Sequence, residues 1–175
     1  MGLPGDETVP TADLVVLDLS GSAPAPPSAT FFVPNDRSTI RSIRHPDPFN
    51  TLYLELRFPA ASLASLNGTA IGADDSVEIT VQPLADGYGF TLSPSGLAFG
   101  ANAPTALLSF GRYADPSAGA AVFGDSDAYL AALQIWAEVG LDRWAVARGS
   151  GAAGVDEVRA SVDAPGSFRL AAGRP

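Results

Sequence analysis

The sequence predicts an all-β fold, an antiparallel two-sheet β-sandwich, and three observations carry that prediction. Thr51–Phe58 alternates without a break, Leu52, Leu54, Leu56 and Phe58 against Thr51, Tyr53, Glu55 and Arg57, which is the period of a half-buried strand. Ser76–Gln82 repeats the pattern, with Val77, Ile79 and Val81 facing one way and Ser76, Glu78, Thr80 and Gln82 the other, until Pro83 stops it. The remaining apolar runs are short and are punctuated by turn-forming clusters such as Asn35-Asp36, Asp86-Gly87 and Ser93-Pro94-Ser95-Gly96. Short strands at turn-punctuated spacing are the sequence mark of a sandwich.

In chain order, Thr8–Leu19 offers one apolar segment, a candidate edge or added strand. Gly21–Ser28 follows with three prolines, which favour an extended, polyproline-like link because proline cannot donate to a strand ladder. Residues 1–28 therefore read as an N-terminal extension with a Pro-rich linker, residues 29–172 as the sandwich, and 173–175 as a tail. Further strands are expected over Thr30–Val33, Thr39–Ile43, Tyr88–Leu92, Thr105–Tyr113, Arg143–Arg148, Glu157–Val162 and Ser167–Ala171. Tyr129–Val139 carries two patterns. Asp125 or Ser126 can cap a helix with Leu130, Leu133, Trp136 and Ala137 on one face, while Leu133, Ile135, Ala137 and Val139 alternate strictly with Gln134, Trp136 and Glu138. The alternation assigns a strand from about Leu133, preceded by one short helix near residues 125–132.

A chain of 175 residues fits one domain and can bury roughly 70% of its unfolded surface. With no cysteine, disulfide frameworks, cysteine zinc sites and thiol nucleophiles are excluded. All 10 basic residues are arginine, a usage that fits a G+C-rich, bacterial coding sequence. The net charge of −9 repels phosphate backbones, so nucleic acid is not an expected partner. No run approaches the roughly 20 apolar residues of a membrane-crossing helix, and no transmembrane segment is expected. Met1–Asp6 lacks the basic start and apolar stretch of a secretory signal, which leaves a cytoplasmic protein or one whose export signal was replaced by a start codon.

His45 is the one histidine, so any serine triad centres on it, yet no Gly-x-Ser-x-Gly elbow accompanies it. Glu55 and Glu78 sit on the polar sides of their strands, the default for solvated acids rather than a glycosidic pair. Asp125 and Asp127 are oxygen ligands of the kind calcium takes, although aspartate is also an ordinary turn and cap residue. Arg37, Arg41 and Arg44 form the local basic stretch of an acidic chain, with Arg37 and Arg41 placed on one strand face, and can pair with acids or dock an anionic partner. Tyr53, Trp136 and Trp144 are candidate stacking surfaces for a protein or a sugar, because alternation puts Tyr53 and Trp136 opposite the apolar faces of their strands.

Several stretches together resemble the ZU-five domain of ankyrins, netrin receptors and tight-junction scaffolds, and most closely its extracytoplasmic bacterial relatives. Phe58-Pro59-Ala60-Ala61-Ser62-Leu63 is similar to the family's turn after an early strand, with Ala61 where glycine is usual. Val77–Pro83, Leu92–Phe99 and Pro104–Leu108 follow in the family's order, and Trp144, Asp156, Val158, Val162 and Ser167-Phe168 resemble its closing hairpin. The resemblance implies a protein-interaction sandwich residing in the periplasm or at the cell surface, and supplies no binding residues. The expected function is thus a noncatalytic interaction or structural module of a bacterial extracytoplasmic assembly with a protein partner and no cofactor. A carbohydrate-binding module and a hydrolase centred on His45 are the alternatives. Some relatives cleave themselves at a serine that follows histidine and phenylalanine, whereas Ser167 here follows Pro165-Gly166 and has no adjacent base. Intact-mass analysis of fresh protein is expected to give one uncut chain; two fragments meeting near Gly166 would contradict this.

Overall fold

The computed structural model describes residues 7–175, so the first six residues of the expected extension lie outside it. Seventeen strands and two short helices follow one another. They are β1 (Leu14–Val16), β2 (Asp18–Leu19), β3 (Ala29–Pro34), β4 (Thr39–Arg44), β5 (Leu52–Phe58), β6 (Leu63–Leu66), β7 (Thr69–Ala70) and β8 (Ser76–Pro83). Then come β9 (Gly89–Ser93), β10 (Leu97–Phe99), β11 (Thr105–Ser109), β12 (Ala114–Asp115), α1 (Ser117–Phe123) and α2 (Ser126–Ala131). The chain closes with β13 (Gln134–Gly140), β14 (Arg143–Val146), β15 (Gly151–Gly154), β16 (Glu157–Ser161) and β17 (Gly166–Gly173).

Two antiparallel sheets make the all-β sandwich that the alternation predicts. One has seven strands, in the order β14-β13-β17-β9-β8-β3 with β1 added to β17, and the other has five, β15-β16-β11-β5-β4. Leu54, Leu56 and Phe58 from β5 face Val77, Ile79 and Val81 from β8 and Phe90, Leu92, Phe168 and Leu170 from β9 and β17, all in one buried cluster. A small sheet, β10-β6-β7, flanks this core. Buried Asn35 holds it in place, accepting from the Leu63 N–H at 3.0 Å and donating to the Leu63 and Gly72 carbonyls.

Thr8–Leu19, the candidate edge or added strand of the N-terminal extension, is woven into the larger sheet. Val9 bridges Trp144, a 3-10 turn over Thr11–Asp13 crosses the face, and β1 then pairs with β17 through Leu14–Gly173, Val15–Ala172 and Val16–Ala171. Leu17 is fully buried. The tail joins the same construction, since β17 runs to Gly173 and the Arg174 N–H donates to the Asp13 carbonyl at 2.8 Å. Apolar content decides this: Leu14, Val15 and Leu17 are worth roughly 1.5–3 kcal/mol each when buried, enough to hold the strap in the ladder ahead of the Pro-rich link.

β17 changes partner along its length, pairing with β9 over Gly166–Arg169 and with β1 over Ala171–Gly173. At the junction the Leu170 N–H donates to the Tyr88 carbonyl (3.0 Å), the Leu17 N–H to the Leu170 carbonyl (3.0 Å), and the Tyr88 N–H to the Leu17 carbonyl (2.9 Å). Gly89 lies in this crossing, where a Cβ would stand 2.3 Å from the Phe168 carbonyl oxygen. The Tyr53 hydroxyl completes it, donating to the Gly89 carbonyl at 2.7 Å and accepting from the Gly89 N–H at 2.9 Å. Burial pushes the Tyr53 phenol up to about 12, against the opposing effect of its bond with Gly89, so it stays protonated and keeps donating.

The ambiguous segment divides as the two patterns suggest. Asp125 caps α2, accepting from the Ala128 N–H at 2.7 Å, and β13 follows two residues after the helix ends. The preceding α1 carries no strong apolar stripe and was not legible. It forms where Asp115 accepts from the Ser117 N–H and where Gly119 gives the Tyr129 ring room, a Cβ there standing 2.0 Å from the ring. Gly151–Gly154, which lies outside the expected strands, is also a strand, paired to β16 at the sheet edge.

Three substitutions separate the parts of this junction in urea denaturation. Leu17→Ala is expected to cost roughly 2–5 kcal/mol as a core truncation, a loss that a loosely attached extension would not show. Tyr53→Phe is expected to cost about 1–3 kcal/mol because it strips the Gly89 N–H of its partner. Tyr88→Phe is expected to be neutral or stabilising, since the buried Tyr88 hydroxyl has no partner to lose.

Candidate functional site

Three of the sequence candidates for binding are buried. Tyr53 turns inward because Ile43 pairs with Leu54 and Arg44 with Leu52, which leaves Tyr53 as the extra residue of a β-bulge and breaks the alternation that points it outward. Its ring stacks on Tyr88 at 5.4 Å. Trp136 and Trp144 do lie on the outer face of the larger sheet, but the N-terminal strap covers them. Leu14 joins both rings in one cluster with Val9 and Val16 packed against it, Trp136 donates to the Ala171 carbonyl and Trp144 to the Thr11 hydroxyl. Trp136 is left 9% exposed and Trp144 3%, so neither presents a face for a sugar to stack on.

The arginines do not converge. Arg37 sits in the bend before β4, beside Asp36 at 3.2 Å, so it shares no strand face with Arg41. Arg41 lies over the Phe31 ring at 5.4 Å, and Arg44 donates to the Asn50 carbonyl at 2.9 Å.

His45 is buried, with Nδ1 2.8 Å from the Pro24 carbonyl and its ring against Tyr53 and Tyr113. It anchors the Pro-rich link, and no hydroxyl or carboxylate bonds to its ring among the described residues. Beside it, Asp47 accepts from the Thr51 hydroxyl and N–H, the Phe49 N–H and the Tyr113 hydroxyl (2.7 Å). Desolvation works to raise the Asp47 carboxyl, but the bonds from Thr51, Tyr113 and Phe49 outweigh it and hold the group well below the usual carboxylate range. Asp125 is spent on its helix cap and Asp127 lies in the first turn of α2. No group of three or more metal-ligating side chains gathers among the described residues.

A large concave feature lies elsewhere. The tip of the β13–β14 hairpin projects past the end of β17, whose pairing with β13 ends at Ala137–Phe168. Its inner face therefore looks across open space at the turn between β16 and β17. The groove has a volume of about 1020 Å³ and a floor of Ala137, Ala145, Ala147 and Phe168. Ser161, Asp163 and Arg148 form its rim. Arg148 grips Asp163 with Nε and Nη2 at 3.0 and 2.8 Å, while the Ser161 hydroxyl donates to Asp163 at 2.6 Å and accepts from Arg148 Nη2 at 2.7 Å. The Arg148 bond holds the Asp163 carboxyl down against some desolvation, and that same bond raises the guanidinium. Both side chains are half exposed or more, so water screens the pair and it serves chiefly to shape the rim. A second cavity of about 450 Å³ adjoins it, sharing Arg148, Gly149 and Ser161 and adding Arg159 and Thr105.

Large apolar side chains are exposed around the groove: Leu141 at the hairpin tip is 97% exposed, Val139 58% and Val146 39%. The sequence reading singled out none of the groove residues. The available signal was the continuation of apolar alternation through Val139 to Leu141, past the last position that a neighbouring strand can cover. No known protein family, curated protein or solved structure matches this chain.

Asp47 generates a pH prediction. Its folded pKa is depressed, so its stabilising effect is fully present above the ordinary carboxylate value near 3.8 and is lost as the pH falls through the lower, folded value. The stability difference between the wild type and Asp47→Asn is expected to be greatest at neutral pH and to shrink steadily below about pH 4. A difference that grows on acidification would contradict the assignment.

Proposed function

We propose that this protein is a noncatalytic interaction module that engages a protein partner through the groove beneath the β13–β14 hairpin. The observation that carries the proposal is the union of an apolar floor, a polar rim and exposed Val139, Leu141 and Val146 at one end of the sandwich. An apolar centre with a polar rim is the anatomy of a protein interface, and exposed apolar side chains gathered in one region mark contact surfaces. The ZU-five resemblance supports the same reading and adds a periplasmic or cell-surface setting within a bacterial assembly.

Photo-crosslinking in the cells that make the protein tests this. A crosslinkable side chain at Val139 is expected to trap a discrete protein adduct, and one at Thr80, on the outer face of the larger sheet, is not. A chain that remains solitary from Val139 would overturn the proposal.

A further inference from the structure

The outer edge of β14 is only half used. Val9 and Trp144 exchange both backbone bonds, at 2.8 and 2.9 Å, which means that the Trp144 N–H and C=O point away from β13. Backbone groups alternate sides along a strand, so the N–H and C=O of Val146 face that same edge. Ala147, one residue on, turns back and donates to the Ile135 carbonyl at 2.8 Å. Glu7 and Thr8 make no backbone bond to Val146 among the described residues. Among the described residues the strap thus pairs with β14 at Trp144 alone, leaving the Val146 donor and acceptor without a backbone partner beside the groove. An unpaired strand edge of this kind is a template for another strand.

We infer that the open edge of β14 takes an extended peptide segment of the protein partner as an added strand, one alternating apolar and basic residues. This rests on the interaction reading above and specifies its geometry. Alternate side chains of an added strand point to the inner face, where Ala145 and Ala147 are small and leave room for valine-sized groups in the groove. Charge selects the partner. The chain carries −9, and Glu138 on the groove lining forms no ion pair among the described residues, whereas Asp163 is already held by Arg148. A second copy brings the same negative charge to the contact, whereas a basic segment is drawn in by it.

The probe is a capped Arg-Val-Arg-Val-Arg-Val-Arg peptide, titrated into the isotopically labelled full chain and followed by backbone amide resonances. Saturable shifts centred on Val146 are expected, together with slowed exchange of its N–H. The same peptide N-methylated at alternate residues keeps its charge but loses its ladder bonds, and is expected to bind roughly tenfold or more weakly, the worth of about two hydrogen bonds. Val146→Pro removes the edge donor without touching an internal bond and is expected to weaken binding by a similar factor. The inference is overturned by equal binding of the N-methylated peptide, by shifts centred elsewhere, by no saturation at millimolar peptide, or by a Val146 N–H already protected in the peptide-free chain, whether alone or in a dimer. If Val139 still crosslinks a partner while Val146→Pro changes nothing, strand addition fails and the interaction reading stands.

Discussion

Three backbone hydrogen bonds, joining Leu17, Tyr88 and Leu170 in a closed triangle, hold together everything else in this fold. β17 is too long for β9 to pair along its whole length, because β9 begins at Gly89 and the chain before it turns away. The vacant stretch of β17 must find another partner, since unpaired backbone groups in a buried strand are costly. β1 supplies that partner, and the triangle is where one neighbour hands over to the other. Its tightness explains the composition nearby: at Gly87, φ +132°, an added Cβ would stand 2.8 Å from Val16 Cγ1 and 2.9 Å from the Leu17 carbonyl oxygen, and Gly89 has no room for a side chain at all.

From that junction the aromatic layout follows. The bulge in β5 sends Tyr53 across the sandwich to satisfy Gly89. The strap that reaches β17 must first cross the outer face of β13 and β14, and in crossing it buries Trp136 and Trp144 in a second, smaller core with Leu14 and Ala171. Residues that alternation alone presents as a binding platform are therefore committed to holding the N-terminal segment in place. Among the described residues the strap's bridge to the hairpin is at Val9, and exposed apolar side chains from Val139 to Val146 border the groove.

The strands were legible wherever one face is buried and the other solvated, as in β5 and β8, because burial then imposes a period of two that composition cannot hide. The strand from Leu133 was legible for the same reason, with Asp125 marking the helix before it. The fate of Thr8–Leu19 was only partly legible: its apolar residues announce a strand, but nothing local states that β17 lacks a neighbour there. Tyr53 misled because a bulge depends on the register between two strands and leaves no mark in one of them. The tryptophans misled because what covers them lies more than 120 residues away in the chain, Thr11 bonding to Trp144. The groove left only the trace of apolar alternation running on to Leu141, since it comes from strands of unequal reach and not from any motif.

If the junction organises the fold, its three amides share the fate of the core. Native-state hydrogen exchange measures this directly. The amides of Leu17, Tyr88 and Leu170 are expected to exchange only through global unfolding, with the same free energy as Leu54 or Ile79 in the central strands. A Leu17 amide that exchanges through a cheaper local opening, while Leu54 and Ile79 remain protected, would show that the N-terminal segment is a dispensable addition and would contradict the account.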